Sequence, residues 1–255
     1  MNRRQFGAAV AGAGFAGVIR GVGVPMQPLT FGTREPRSRP MGERQFPKNV
    51  AGIRIVDSRI AREAAELARE SSPPYLFNHA ARTYVLGALI GRARAQSFDE
   101  ELLYLGCMLH DLGLSERFAG EMPFEIEGAI AAERFLRGRG LAPERAAVVW
   151  DGIAMHPLPI AEHKRPEIAL VAAGAGADVV GAGLERLSEA QRAQVTQAFP
   201  RLGFKRAFVA TCATVVARHP GGAGRTFMRD IGERAVPGYH PGNICDAIER
   251  APFDE

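Results

Sequence analysis

Cysteine is scarce in this 255-residue chain: Cys107, Cys212 and Cys245 are widely spaced, odd in number and without a CxxC pair. That pattern excludes a disulfide-stapled scaffold and a zinc ribbon. Cys107 and Cys212 sit in apolar stretches and read as small buried hydrophobes. Long hydrophobic runs are missing too. The N-terminal stretch GAAVAGAGFAGVI is closed by Arg20 and falls short of the ~20 residues that span a bilayer, so no stable membrane anchoring is expected. Strand-like alternation of useful length is absent, which leaves little for a sheet.

Net positive charge on the folded part is also lacking, although the pI is about 9.2. Residues 1–50 hold eight Lys and Arg against Glu35 and Glu43, a net of +6, so the chain total of +4 leaves residues 51–255 at −2. A nucleic-acid binder carries its basic stripe on the fold, so no nucleic-acid partner is expected. What remains is 46% hydrophobic and 24% charged residues, the balance of a soluble globular chain.

The start of the chain, Asn2-Arg3-Arg4-Gln5-Phe6 followed by the weakly apolar run, resembles a twin-arginine export signal. Residues 1–24 are therefore expected to be a disordered signal segment and 25–50, rich in Pro, Arg and Gly, a linker. Residues 51–255 are expected to form one helical domain. The implied location is periplasmic or otherwise extracytoplasmic, with the cytoplasm as the alternative.

From residue 54 the pattern is helical. Val56, Ile60, Ala64, Leu67 and Ala68 recur at helical spacing behind a cap at Asp57 or Ser58. Pro74 suits the first turn of the next helix, which carries His79. Asp99 opens a third, LLYLGCML, that ends at His110-Asp111-Leu112-Gly113, with Gly113 as its expected stop. Pro123 and Pro143 open two more. Residues 166–182, PEIALVAAGAGADVVGA, are too long and too rich in Ala for a strand and are read as a helix. Ser188 with Gln191 predicts a capping box, and FKRAFVATCATVVARH and GRTFMRDIGERA complete an all-α fold.

The chemistry centres on His110-Asp111. A carboxylate at the end of an apolar helix is costly to bury unless it is paired or holds a cation. Around it, FNHAARTYVLG, LYLGCMLHDLGL, PFEIEGAIAAERFL, DGIAMH and PEIALVAAGAGADVVG follow in order from about residue 74 to 183. In these pieces the chain resembles the HD superfamily of metal-dependent enzymes, and within it the cyanamide-hydratase-like group. The resemblance implies a helical bundle with His79, His110, Asp111 and Asp178 as metal ligands.

Two imidazoles and two carboxylates suit Zn, Fe, Mn or Ni; the resemblance favours one zinc ion, whose bound water would be the nucleophile. His156 is the candidate to polarise substrate or shuttle a proton. Glu125 is a candidate to support the centre, although acidic residues are favoured in a first helical turn for dipole reasons alone. Gly174 and Gly176 are expected to let a neighbouring helix pack closely beside Asp178. His163, His219 and His240 are expected to be solvated.

Two positions depart from the family pattern. Ala80 follows the first ligand where many relatives have serine, and Leu114 stands where phosphohydrolase branches often carry a phosphate-binding lysine. The leading expectation is a hydrolase or hydratase that activates water against a small molecule. Alternatives are an HD-type phosphohydrolase acting on a nucleotide or other phosphate ester, for which Arg82 is the nearest cation, and a non-catalytic binding or regulatory module.

Overall fold

The computed structural model describes residues 46–224, 226–243, 245, 246 and 250; the expected export signal lies outside them. Among the described residues there are nine α-helices: α1 Arg59–Ser71, α2 Pro74–Ala93, α3 Glu100–Leu109, α4 Phe124–Gly138, α5 Pro143–Met155, α6 Pro166–Val180, α7 Glu189–Ala198, α8 Phe204–Arg218 and α9 Met228–Ala235. The only strands among these residues are β1 Asn49–Val50 and β2 Ile53–Arg54, an antiparallel pair with Val50 opposite Ile53. The fold is all-α. No described helix is long and apolar enough to cross a membrane.

Local chemistry explains where the helices start. The Ser58 hydroxyl accepts from Ala61 N, the Asp99 carboxylate accepts from Glu101 N and Leu102 N, and Ser188 with Gln191 forms a full capping box. These side chains satisfy backbone donors that the first turn leaves free. α2, α5 and α6 instead begin on Pro74, Pro143 and Pro166, where a missing N–H costs no hydrogen bond.

α2 is the spine: fourteen of its twenty residues are buried. It packs most extensively on α6, and glycines set the distance between them. A Cβ at Gly87 would lie 2.6 Å from the Leu170 carbonyl oxygen, and one at Gly174 only 2.2 Å from that of Thr83. Gly176 does not share the role expected of it, because a Cβ there would meet nothing nearer than Ala182 Cβ at 3.8 Å.

Gly113 is also more than a helix stop. α3 ends before it, residues Leu112–Leu114 form a short 3-10 turn, and a Cβ at Gly113 would sit 1.9 Å from the Phe124 carbonyl oxygen. The glycine is there so that the turn carrying Asp111 can lie against the start of α4.

The packed unit begins before residue 51. The Phe46 ring lies 5.6 Å from Phe77 and 5.7 Å from Phe199, and Ile55 N donates to Lys48 O. Composition assigns residues 46–50 to the linker because Pro47 and Lys48 mask one anchoring aromatic. The large core spans α1 to α7, whereas α8 and α9 gather a second cluster around Phe204, Phe208, Cys212, Val216 and Met228.

Candidate metal centre and its pocket

α2 presents His79, the end of α3 presents His110, and the following residue is Asp111; all three are buried. His79 Nε2 and His110 Nε2 are 3.1 Å apart, and Asp111 Oδ2 lies 3.5 Å from the first and 3.3 Å from the second.

The protons on these rings are fixed by their other nitrogens. His110 Nδ1 is 2.8 Å from the Cys107 carbonyl oxygen, which can only accept, so Nδ1 carries the hydrogen. His79 Nδ1 donates to Asp178 Oδ2 at 2.6 Å. Both Nε2 atoms therefore present lone pairs, and both face Asp111 Oδ2, a buried oxygen with no hydrogen-bond partner among the described residues. Three acceptors converging in a buried site repel one another unless a cation sits between them. A proton is a poor candidate, since burial lowers the His110 pKa. The three residues form the one buried group among those described whose donor atoms could all reach a single metal ion. Imidazole nitrogen held by a carbonyl or carboxylate at its other end is the usual setting of a ligating histidine.

Asp178 is placed one step behind. Its carboxylate stands on the Nδ1 side of His79 and takes a fork from Arg82, whose Nε and one amino group donate to Oδ1 and Oδ2 at 2.8 Å each. A second cation, Arg201, donates to Asp178 Oδ1 at 2.6 Å and to its backbone oxygen at 3.1 Å. Burial pushes this carboxyl up, but bonds from His79 and Arg82 outweigh it and hold it well below the usual range. Arg82 has no exposed surface and its remaining amino group donates to Phe199 O and Pro200 O. The cation that looked available to a phosphate substrate is fully engaged in structure.

A cavity of about 310 Å³ opens on the cluster, lined by His79, His110, Asp111 and His156. Its other walls are apolar, Ala172, Ala175 and Val179 from α6 and Phe208 and Phe227 from the α8–α9 region, and no described Lys or Arg lines it. Neither Asp178 nor Glu125 is among the lining residues.

His156 ends α5 with its ring 4.9 Å from that of His110, edge to face. Its Nδ1 donates to Ile153 O at 2.7 Å, which leaves Nε2 as an acceptor. Burial, and then the neighbouring His110, lower its pKa to about 3, so the ring is neutral at pH 7. Glu125 is buried in the first turn of α4, with Oε2 unpartnered and its pKa raised by burial. No hydrogen bond or ion pair among the described residues ties it to any of the three clustered residues.

No family model matches the chain. It is similar to two proteins of Saccharomyces cerevisiae, cyanamide hydratase DDI2 and cyanamide hydratase DDI3. Each is 26% identical over 185 residues, covering 70% of this chain and 81% of the relative.

The structure adds residues that the sequence did not single out. Arg201 follows Pro200 in a loop and has no motif to mark it, while Phe204 and Phe208 on α8 pack on the His79 ring at 4.8 and 6.0 Å between centroids. Their spacing of four along a helix was the available signal. It reads equally well as ordinary core.

Proposed function

We propose that this chain is a metal-dependent enzyme that adds water to a small uncharged electrophile, with a compact nitrile such as cyanamide as the leading substrate class. The observation that supports it is the trio of lone pairs from His79 Nε2, His110 Nε2 and Asp111 Oδ2 at the floor of a small cavity without cationic walls. The similarity to two cyanamide hydratases agrees with it. A divalent transition metal held by those three atoms, zinc being favoured, supplies Lewis-acid chemistry and can bring the pKa of water from 15.7 to about 7.

The chain's own residues do the rest. Phe208, Phe227 and Val179 exclude bulk water and leave room for a compact molecule. His156 is neutral and accepts at Nε2, so it takes a proton from the attacking water and returns it to the nitrogen that gains charge as the C–N π bond opens. Because burial disfavours the imidazolium, the proton is passed on and not kept. Asp178 keeps the His79 proton on Nδ1 and so keeps Nε2 free.

A phosphate ester fits this cavity less well. Phosphoryl transfer relies on Lys, Arg or several metal ions around the equatorial oxygens, and the described lining has none of the side chains. The test is metal analysis of natively purified protein, followed by assays on small nitriles and phosphate monoesters with and without chelator. Metal-dependent nitrile hydration is expected; phosphate release with no nitrile turnover would overturn the proposal.

A further inference from the structure

At the last turn of α6, where it shares Val179 and Val180 with the first, lies a second cavity of about 300 Å³ whose character is the reverse. Arg82, Arg192, Arg201 and Lys205 line it, against a single acid, Asp178. That acid is already neutralised by Arg82 and Arg201, so the cavity as a whole carries excess positive charge. Among the described residues neither Arg192 nor Lys205 has an acidic partner within ion-pair distance, and both are exposed, so their charge is available to a ligand.

The backbone adds to this field. Lys205 is in the first turn of α8, a fifteen-residue helix with no side-chain cap and no acidic residue in that turn. Its free N–H groups and positive dipole end favour an anion at this edge. Arg201 is held in place from both sides: one amino group is bonded to Asp178, and its guanidinium lies 4.9 Å from the Phe204 ring centre. Only that amino group has a bonded partner among the described residues, which leaves the rest of the fork to a ligand. Leu86 and Val195 supply an apolar floor.

We propose that this cavity is a binding site for the phosphate group of a small molecule, separate from the metal centre and recognised by Arg192, Arg201 and Lys205. A guanidinium fork matches phosphate oxygens in pairs, and a lysine at a helix N-terminus supplies a point charge to the same group. The volume admits a phosphate with a compact remainder, and is at the small end of ligand pockets.

The site is tested by calorimetric titration of the full chain, kept in chelator so that the metal centre takes no part, at fixed ionic strength. The probes are inorganic phosphate, glycerol phosphate and adenosine monophosphate, with chloride and acetate as controls. Saturable binding of phosphate, weakened at least tenfold by Arg192→Ala with Lys205→Ala and unchanged by His110→Ala, is the expected result. Binding of the esters as well as the free ion identifies a phosphorylated metabolite as occupant; binding of the free ion alone identifies inorganic phosphate. No saturable binding, equal affinity in the double variant, or loss of binding in His110→Ala would each overturn the site. Both substituted cations are exposed, so the double variant is expected to fold, and its far-ultraviolet dichroism checks that.

Discussion

Asp111 and Asp178 are both buried carboxylates beside His79, yet the structure gives them opposite energetic roles, and replacing each by asparagine separates them. Asp178 is clamped by a fully buried Arg82, by Arg201 and by His79. Removing its charge leaves the Arg82 guanidinium inside the protein without a counter-ion, which costs about 3 to 5 kcal/mol for a broken buried pair. Set against a total stability of roughly 5 to 15 kcal/mol, that is a large fraction. Asp111 Oδ2 has no partner and faces two lone pairs, so neutralising it in metal-free protein relieves repulsion and is expected to leave stability unchanged or about 1 kcal/mol higher. The assay is urea unfolding in chelator followed by circular dichroism. At a slope near 2 kcal/mol per molar, Asp178→Asn should lower the midpoint by about 2 M while Asp111→Asn does not. Adding metal should then raise the midpoint of the parent and leave Asp111→Asn where it was. Equal midpoint losses for the two variants in chelator would refute the assignment of their roles.

Other outcomes follow from the same contacts. His156→Ala should keep full metal content while turnover falls by the ~10² to 10⁴ typical of a lost acid or base; unchanged turnover would remove His156 from the chemistry. Gly113→Ala and Gly174→Ala drive a methyl group into a backbone oxygen and should each lose about 3 kcal/mol, whereas Gly176→Ala should stay within about 1 kcal/mol of the parent. Equal losses at 174 and 176 in thermal melts would contradict the close crossing of α2 and α6. Burial pushes the Glu167 carboxyl up, but donors at Asp99 N and Arg165 Nε outweigh it, so its pKa is lowered in the fold. Its contribution is therefore complete above the ordinary carboxylate value of about 4.3 and is lost as pH falls below it. Glu167→Gln should flatten the fall in stability between about pH 5 and 3, and an unaltered slope would count against that network.

The helices were legible because their signals are local. Ser58, Asp99, Ser188, Pro74, Pro143 and Pro166 each act within one turn of the chain, and the structure starts a helix at every one of them. His110-Asp111 stood out because a charge at the end of LLYLGCML conflicts with its surroundings. What stayed hidden depends on contacts between distant segments. The engagement of Arg82 is decided by Asp178, ninety-six residues away, and the need for glycine at 113 by a carbonyl on another helix. The apolar walls Phe208 and Phe227 and the ion pair of Arg201 belong to the same class, since nothing within a turn of them marks what they face.

The placement of the cysteines offers a clock for the motions of this fold. Cys107 and Cys212 have no exposed surface, belong to the two different core clusters, and have pKa values raised by burial, while Cys245 is exposed. A thiol reagent meets Cys245 at once and can reach the others only when their layer opens, because the reactive thiolate is neither formed nor accessible in the closed state. Modification of Cys212 times the parting of α8 from the body of the protein, and modification of Cys107 times the opening of the helix that carries His110. Two thiols outside the cluster of His79, His110 and Asp111 thus divide the breathing of the molecule into separately readable steps.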